Sequence, residues 1–191
     1  MDREILLIRN FIAIPIRDDI KNEILLYLSE YKKSNRNIKW VNNDNYHITL
    51  FFASASTKEE IERIGKIMRE EIAVLKKFVL RVGGIGVFPN VKKTRVFWVG
   101  VKTDEVLFNF RKKILNRINK DIVKDNQSNF HPHITIGRIK KGNLSDDLIY
   151  NIQNGNNKLF GEQIVDKIVH YKSELTQNGA IHSVINTYML K

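Results

Sequence analysis

The tetrapeptide His-Ile-Thr-apolar is spelled twice in this chain, as "HITL" (His47–Leu50) and "HITI" (His133–Ile136), although there are only 5 histidines in 191 residues. Each copy lies in a run of branched and aromatic residues that reads as a β-strand, "YHITLFFA" and "HPHITIGRI". Strand side chains alternate between faces. His47 and Thr49 therefore share one face and Ile48 and Leu50 the other, and His133 and Thr135 stand in the same relation to Ile134 and Ile136. The apolar pair anchors each strand in a core, which leaves the polar pair facing a cleft or solvent. One exposed His-x-Thr on a strand is ordinary surface. Two copies, each in a corresponding place, point to two similar halves whose histidines converge.

The rest of the pattern agrees with such a duplication. Strands are expected over Asn10–Ile16, Ile38–Val41, Tyr46–Ala53, Phe78–Pro89, Thr94–Val101, His131–Ile139, Leu159–Leu175 and Ala180–Leu190. A helix capped by Asp18 or Asp19 should run to Lys33 with Ile20, Ile24, Leu25 and Leu28 on one face. Thr57 should cap a second helix to Lys76, with Ile61, Ile64, Ile67 and Met68 inward. A third starts at Asp104 and carries Leu107, Phe108, Ile114, Leu115 and Ile118, and a short fourth spans Leu144–Ile152. Asn42–Asn45 and Thr176–Ala180 read as turns and Asp125–Asn129 as a loop. Many strands adjoin with no helix between them. The expected fold is therefore α+β: one domain over residues 1–191, bilobal and pseudo-symmetric. Each lobe should be mainly antiparallel sheet with helices packed outside, and the cleft should lie between the lobes. "GGIG" (Gly83–Gly86) falls inside a strand and is not expected to form a phosphate loop.

Composition narrows the partners. The formal charge is +11, from 32 basic and 21 acidic residues, which favours polyanions such as nucleic acid or phosphorylated small molecules. There is no cysteine, so disulfides and thiolate metal sites are excluded. No apolar run is long enough to span a membrane, and "MDREILLIRN" lacks the features of a signal peptide, so a cytoplasmic protein is expected. Two histidines in one cleft suit acid–base work, because one can take a proton while the other gives one near neutrality. Breaking a phosphodiester needs both roles, and threonine hydroxyls with an arginine fork can hold the charge that builds on the non-bridging oxygens. Arg138 lies five residues after His133, an odd offset that turns it away from the cleft unless Gly137 bends or bulges the strand.

The chain resembles the 2H phosphoesterase superfamily, and within it the RNA 2′,3′-cyclic phosphodiesterases, also called 2′–5′ RNA ligases. "FIAIPI", "KWVNNDNYHITLFF", "GGIGVFP", "RVFWVGV", "FHPHITIGRIK" and "YKSELTQNGAIHSV" carry the likeness over nearly the whole length. Lys39, where many members have arginine, and His182, where tyrosine is common, depart from the family pattern. The resemblance implies hydrolysis of an RNA 2′,3′-cyclic phosphate end to a 2′-phosphomonoester, without metal or cofactor, and leaves 2′–5′ ligation open. By it His47 is the proton donor and His133 the acceptor, while Thr49, Thr135 and Arg138 hold the phosphate. It also implies an RNA substrate (tRNA fragments and nucleotides remain candidates), no membrane partner and a monomer.

Two other readings stand beside this one. One is an RNA-binding module that keeps the fold without catalysis. The other is a metal-dependent phosphohydrolase built on His131 and His133, which would need at least one further protein ligand. His170 and His182 read as structural, and Trp40 and Phe88 as core.

Overall fold

The computed structural model describes residues 6–118, 122–123, 130–155, 157–177 and 179–191. The loop expected at Asp125–Asn129 and the opening "MDREI" lie outside the described residues. The elements are β1 (Ile8–Pro15), α1 (Asp18–Lys32), β2 (Ile38–Trp40), β3 (His47–Ser56), α2 (Lys58–Ile72), β4 (Phe78–Phe88), β5 (Val96–Thr103), α3 (Glu105–Arg117), β6 (His133–Ile139), α4 (Asp146–Gln153), β7 (Leu159–Val165), β8 (Lys167–Thr176) and β9 (Gly179–Met189). All strands join one antiparallel sheet in the order β7-β4-β5-β6-β3-β1-β8-β9, with the short β2 alongside β6. The expected α+β architecture is the one observed.

The two lobes meet where β3 pairs with β6 at Ile48 and Ile134, both fully buried. One lobe is β4–β7, consecutive in sequence, and the other is assembled from both ends of the chain, β1 and β3 with β8 and β9. The strand expected over Leu159–Leu175 is in fact two strands. β7 pairs with β4 and β8 pairs with β1, at opposite ends of the sheet, with Asp166 alone between them. The break has a trace in the sequence: Asp166 and Lys167 are exposed in succession, which interrupts the alternation. In a flat sheet six strand spacings would separate β7 from β8 by roughly 29 Å. Two Cα steps through Asp166 reach only about 7 Å, so the sheet must curl.

The helices cover the apolar face. Ile20 and Ile24 of α1, Ile64 and Met68 of α2, Leu107 of α3 and Leu148 of α4 join Ile48, Leu50, Ile134 and Ile136 in one core. α1 lies against β7, and the Gln163 side chain ties the two by donating to the Pro15 carbonyl and accepting from the Arg17 N–H. α2 packs on α3 and β9. Thr57 caps its start as expected, and Glu60 completes a capping box by accepting from the Thr57 N–H.

Some details differ from expectation. The residue before α1 is Arg17, and Asp18 and Asp19 occupy the first turn, where negative charge complements the helix dipole. α2 stops at Ile72 rather than Lys76, because Leu75 and Lys77 turn to pair with the backbone of Lys191. In α3 the buried stripe is Leu107, Phe110, Arg111, Ile114 and Leu115, while Phe108 is 40% exposed. That stripe has the i, i+3, i+4, i+7, i+8 spacing, and Phe108 falls outside it. The buried Arg111 Nε donates to the Leu50 carbonyl at 2.7 Å and so steadies β3 from beneath.

His170 of β8 is structural, as the sequence suggests. It is fully buried, and Nε2 meets Asn10 Oδ1 at 2.8 Å, so the neutral ring donates there. Desolvation lowers its pKa from 6.5 to about 4. The unfolded chain therefore takes up this proton as the pH falls through 6.5, and the folded chain resists until about 4, so stability must fall across that window. Thermal melts between pH 7 and pH 4 should show a smaller loss of Tm for His170→Gln, relative to its own value at pH 7, than for wild type. Equal losses would contradict a buried neutral His170.

Candidate active site

The site is built on the seam between β3 and β6. Along β6, Trp98 pairs with Thr135 and the next residue, Phe97, pairs with Gly137, so Ile136 is the extra residue of a β-bulge. The bulge shifts the alternation by one. Ile134, Ile136 and Ile139 are buried, while His133 and Thr135 are half-buried and Arg138 is exposed. His133, Thr135 and Arg138 thus share the open face, and the odd offset of Arg138 is resolved. Gly137 lets β2 lie close beside this stretch of β6, since a Cβ there would stand 2.5 Å from Cγ2 of Ile38. β3 carries the matching device. Ala13 pairs with Thr49 and Ile12 with Phe51, leaving Leu50 as the extra residue. The structure therefore brings four of the five expected residues, His47, Thr49, His133 and Thr135, to equivalent positions in the two lobes. The fifth has no twin, because Phe52 stands on β3 where Arg138 stands on β6.

Both histidines are oriented in the same way. His47 Nδ1 lies 2.7 Å from the Asn45 carbonyl, and His133 Nδ1 lies 2.7 Å from the His131 carbonyl. A carbonyl only accepts, so each Nδ1 carries the hydrogen, and in the neutral ring Nε2 offers a lone pair. Thr49 Oγ1 is 3.1 Å from His47 Nε2 and can donate to it when the ring is neutral or accept from it when charged. Burial drives the His47 pKa from 6.5 down to about 4, with charge on His182 and on His133 adding to the depression and the Asn45 bond opposing it. Burial also lowers the pKa of His133, and the nearby charges of His131 and Arg138 push the same way against the His131 carbonyl bond. His47 thus feels the charge of His133, and Arg138 acts on His133.

The walls are aromatic. Phe11 stacks on His47 with ring centroids 4.8 Å apart, His182 meets it edge-on at 5.5 Å and Tyr171 lies at 6.4 Å. Phe88 stands edge-on to His133 at 5.1 Å and Trp98 lies at 6.3 Å, with His131 against Trp98 at 4.9 Å. Phe88 therefore borders the site rather than belonging to the core, whereas Trp40 packs edge-on to Phe97 as a core residue should. His182 likewise borders the site. Sequence reading passes over Phe11, Tyr171 and Trp98. Trp98 had a signal, because the alternation in "RVFWVGV" keeps it in step with Val96, and its partner across β4–β5 is Gly86, where a Cβ would come within 2.2 Å of the indole. Phe11, 2% exposed in an apolar run, had none. Among the described residues no group of three or more His, Cys, Asp or Glu side chains is placed to hold a metal.

The model of the 2′-5′ RNA ligase superfamily matches residues 19–171. The chain is 36% identical over 157 residues to the RNA 2′,3′-cyclic phosphodiesterase of Aquifex aeolicus, covering 80% of this chain and 81% of that protein. It is 31% identical over 180 residues to the protein of the same name from Methanocaldococcus jannaschii, covering 94% and 99%. In fold it is similar to TT0787 of Thermus thermophilus, with a TM-score of 0.81 at 22% identity over 95% of this chain and 97% of that one. It is also similar to E. coli LigT complexed with 3′-AMP, with a TM-score of 0.77 at 17% identity over 97% and 99%.

The electrostatics predict a titration. In the free protein, NMR of the imidazole resonances should place His47 at about 4 and His133 below 6.5, so that both rings are neutral at pH 7. Inorganic phosphate should raise both values, because an anion beside the rings favours their charged forms. A free-state His47 that titrates at 6.5 or above would refute the burial argument.

Proposed function

The chain belongs to the 2′-5′ RNA ligase superfamily, and from that premise we propose that it hydrolyses RNA 2′,3′-cyclic phosphate ends to 2′-phosphomonoesters. The observation that carries the reading is the pair of imidazoles on β3 and β6, each with Nδ1 held by the carbonyl two residues earlier and Nε2 presented to the same face. That is the equipment for moving two protons in one displacement. His133 takes a proton from water as its oxygen attacks phosphorus. The P–O3′ bond breaks, and His47 gives its proton to the departing 3′-oxygen. The product carries a 2′-phosphate and a free 3′-hydroxyl, and solvent restores the protons. Thr49, Thr135 and Arg138 hold the non-bridging oxygens. A 5′-hydroxyl in place of water would give a 2′–5′ linkage by the same steps, which is how we read the ligation implied by the family.

In the free protein His47 favours its neutral form at pH 7. We infer that the donor's proton is taken up together with the anionic cyclic phosphate, whose charge offsets the burial that depresses the ring. Thr49 Oγ1 at 3.1 Å is suited to accept the Nε2 hydrogen of the charged ring. No step requires a metal, and the substrate we propose is an RNA end met in the cytoplasm by a monomer.

The reading is tested with an RNA ending in a 2′,3′-cyclic phosphate, incubated in EDTA, with the position of the product phosphate determined. A 2′-phosphate is expected, and a strict need for added divalent ion would defeat the metal-free mechanism. His47→Ala and His133→Ala should each slow the reaction by about 100-fold or more, the usual worth of one general acid or base.

The division of roles has its own measurement. A substrate with a far better leaving group at the 3′ position needs little protonation, so it should restore much of the rate to His47→Ala and little to His133→Ala. The opposite result would reverse the assignment of donor and acceptor.

A further inference from the structure

We propose that Lys39, standing beside Arg138 at the edge of the reacting-phosphate site, forms a second phosphate subsite that takes the phosphodiester on the 5′ side of the terminal nucleotide. The inference rests on the proposed reaction at an RNA end and concerns the rest of the substrate chain.

The two lobes are alike at the seam, but one strand breaks their symmetry. β2 pairs with the far end of β6, matching Ile38 to Ile139, Lys39 to Arg138 and Trp40 to Gly137, and the Val41 N–H continues the contact to the Ile136 carbonyl at 3.0 Å. No described strand takes the corresponding place beside β3, which beyond Ile48 pairs only with β1. β2 is thus an addition to one wall of the site.

What it adds is positive charge. Residues directly opposite in an antiparallel pair project to the same face, so Lys39 stands beside Arg138 on the open face. Both are exposed, and among the described residues neither makes an ion pair. Like charges directly opposite one another destabilise a sheet. Gly137 permits β2 to lie this close, since any Cβ there would meet Ile38. The fold therefore holds Lys39 beside Arg138 at a cost that a phosphate bound at Lys39 would offset.

The position selects which anion. Arg138 shares the open face of β6 with His133 and Thr135, so it stands in line with the reacting phosphate. Lys39 lies one strand farther out, on the side of Arg138 away from β5. A mononucleotide cyclic phosphate carries one phosphate, which belongs at the histidines. An RNA chain carries its next phosphate one nucleotide upstream, and Lys39 is the cation that extends the site outward. The opposite wall has Phe52 at the position of Arg138, with the Arg9 guanidinium 5.2 Å over its ring, and offers no such pair on its own strand. The RNA chain accordingly leaves across β2.

The test compares Lys39→Gln with Lys140→Gln, an exposed lysine just past the end of β6 that is removed as a control for net charge. Binding of a 3′-mononucleotide and of a trinucleotide with the same 3′-phosphate is titrated against salt, and turnover is measured on the matching cyclic phosphates. Lys39→Gln should weaken trinucleotide binding about fivefold, the worth of one exposed ion pair. It should also flatten the log–log salt slope by roughly 0.7, as expected for one lost phosphate contact on a single strand. Mononucleotide binding and turnover should stay at wild-type levels, and Lys39→Arg should restore the trinucleotide. Equal losses on both ligands would assign Lys39 to the reacting phosphate, and equal losses in Lys140→Gln would reduce the effect to bulk charge. Either result overturns the subsite. Failure of wild type to turn over any cyclic phosphate would instead strike the proposed reaction, while the binding arms would still decide the role of Lys39.

Discussion

Everything at the site depends on the burial of Ile48 against Ile134. These two residues form the register point at which β3 meets β6, and both are removed from water by the helices beneath. In an antiparallel register centred there, His47 comes into line with Thr135 and Thr49 with His133. The polar face therefore follows from the apolar face. A slip of one residue would bury the histidines and expose the isoleucines, so hydrophobic burial fixes the relative placement of the imidazoles more firmly than any polar contact does. Arg111 reinforces this from below by satisfying the Leu50 carbonyl at the bulge, where the ladder to β1 is interrupted.

The same packing sets the electrostatics. The chain carries +11, yet the two imidazoles are held toward neutrality. Aromatic rings of Phe11 and Phe88 lie against them and exclude water, which penalises the charged forms, and neighbouring histidines and Arg138 add repulsion. A basic protein with neutral histidines attracts an anion over long range and holds its acid–base groups in a state that the anion itself can change. The backbone carbonyls of Asn45 and His131 keep each Nδ1 hydrogen in place, so any change of protonation falls on Nε2.

Symmetry makes the paired site and asymmetry gives it direction. Both central strands bulge immediately after the threonine, which is why one motif can serve both lobes. Beyond the bulge the lobes diverge: arginine on one side, phenylalanine on the other, and β2 added only to the side of the arginine. A pseudo-symmetric cleft has no intrinsic orientation for an asymmetric ligand, and these differences supply one.

The duplicated His-x-Thr pattern determined a great deal by itself. Strand alternation alone put His47 with Thr49 and His133 with Thr135, and the apolar spacing in residues 18–32 and 58–72 determined helices that cover the opposite face. Those are local consequences of period, and period is visible in one dimension. Three matters were decided only in three dimensions. The face of Arg138 depended on a bulge whose existence requires the partner residues Phe97 and Trp98 to be known. The division of Leu159–Leu175 into strands at opposite ends of the sheet depended on which strands β7 and β8 found as partners, and the exposed Asp166–Lys167 pair was its only mark in the sequence. The aromatic walls came from β1, β4, β5 and β8, strands distant from both motifs along the chain, because a curled sheet brings together side chains that no short-range periodicity relates.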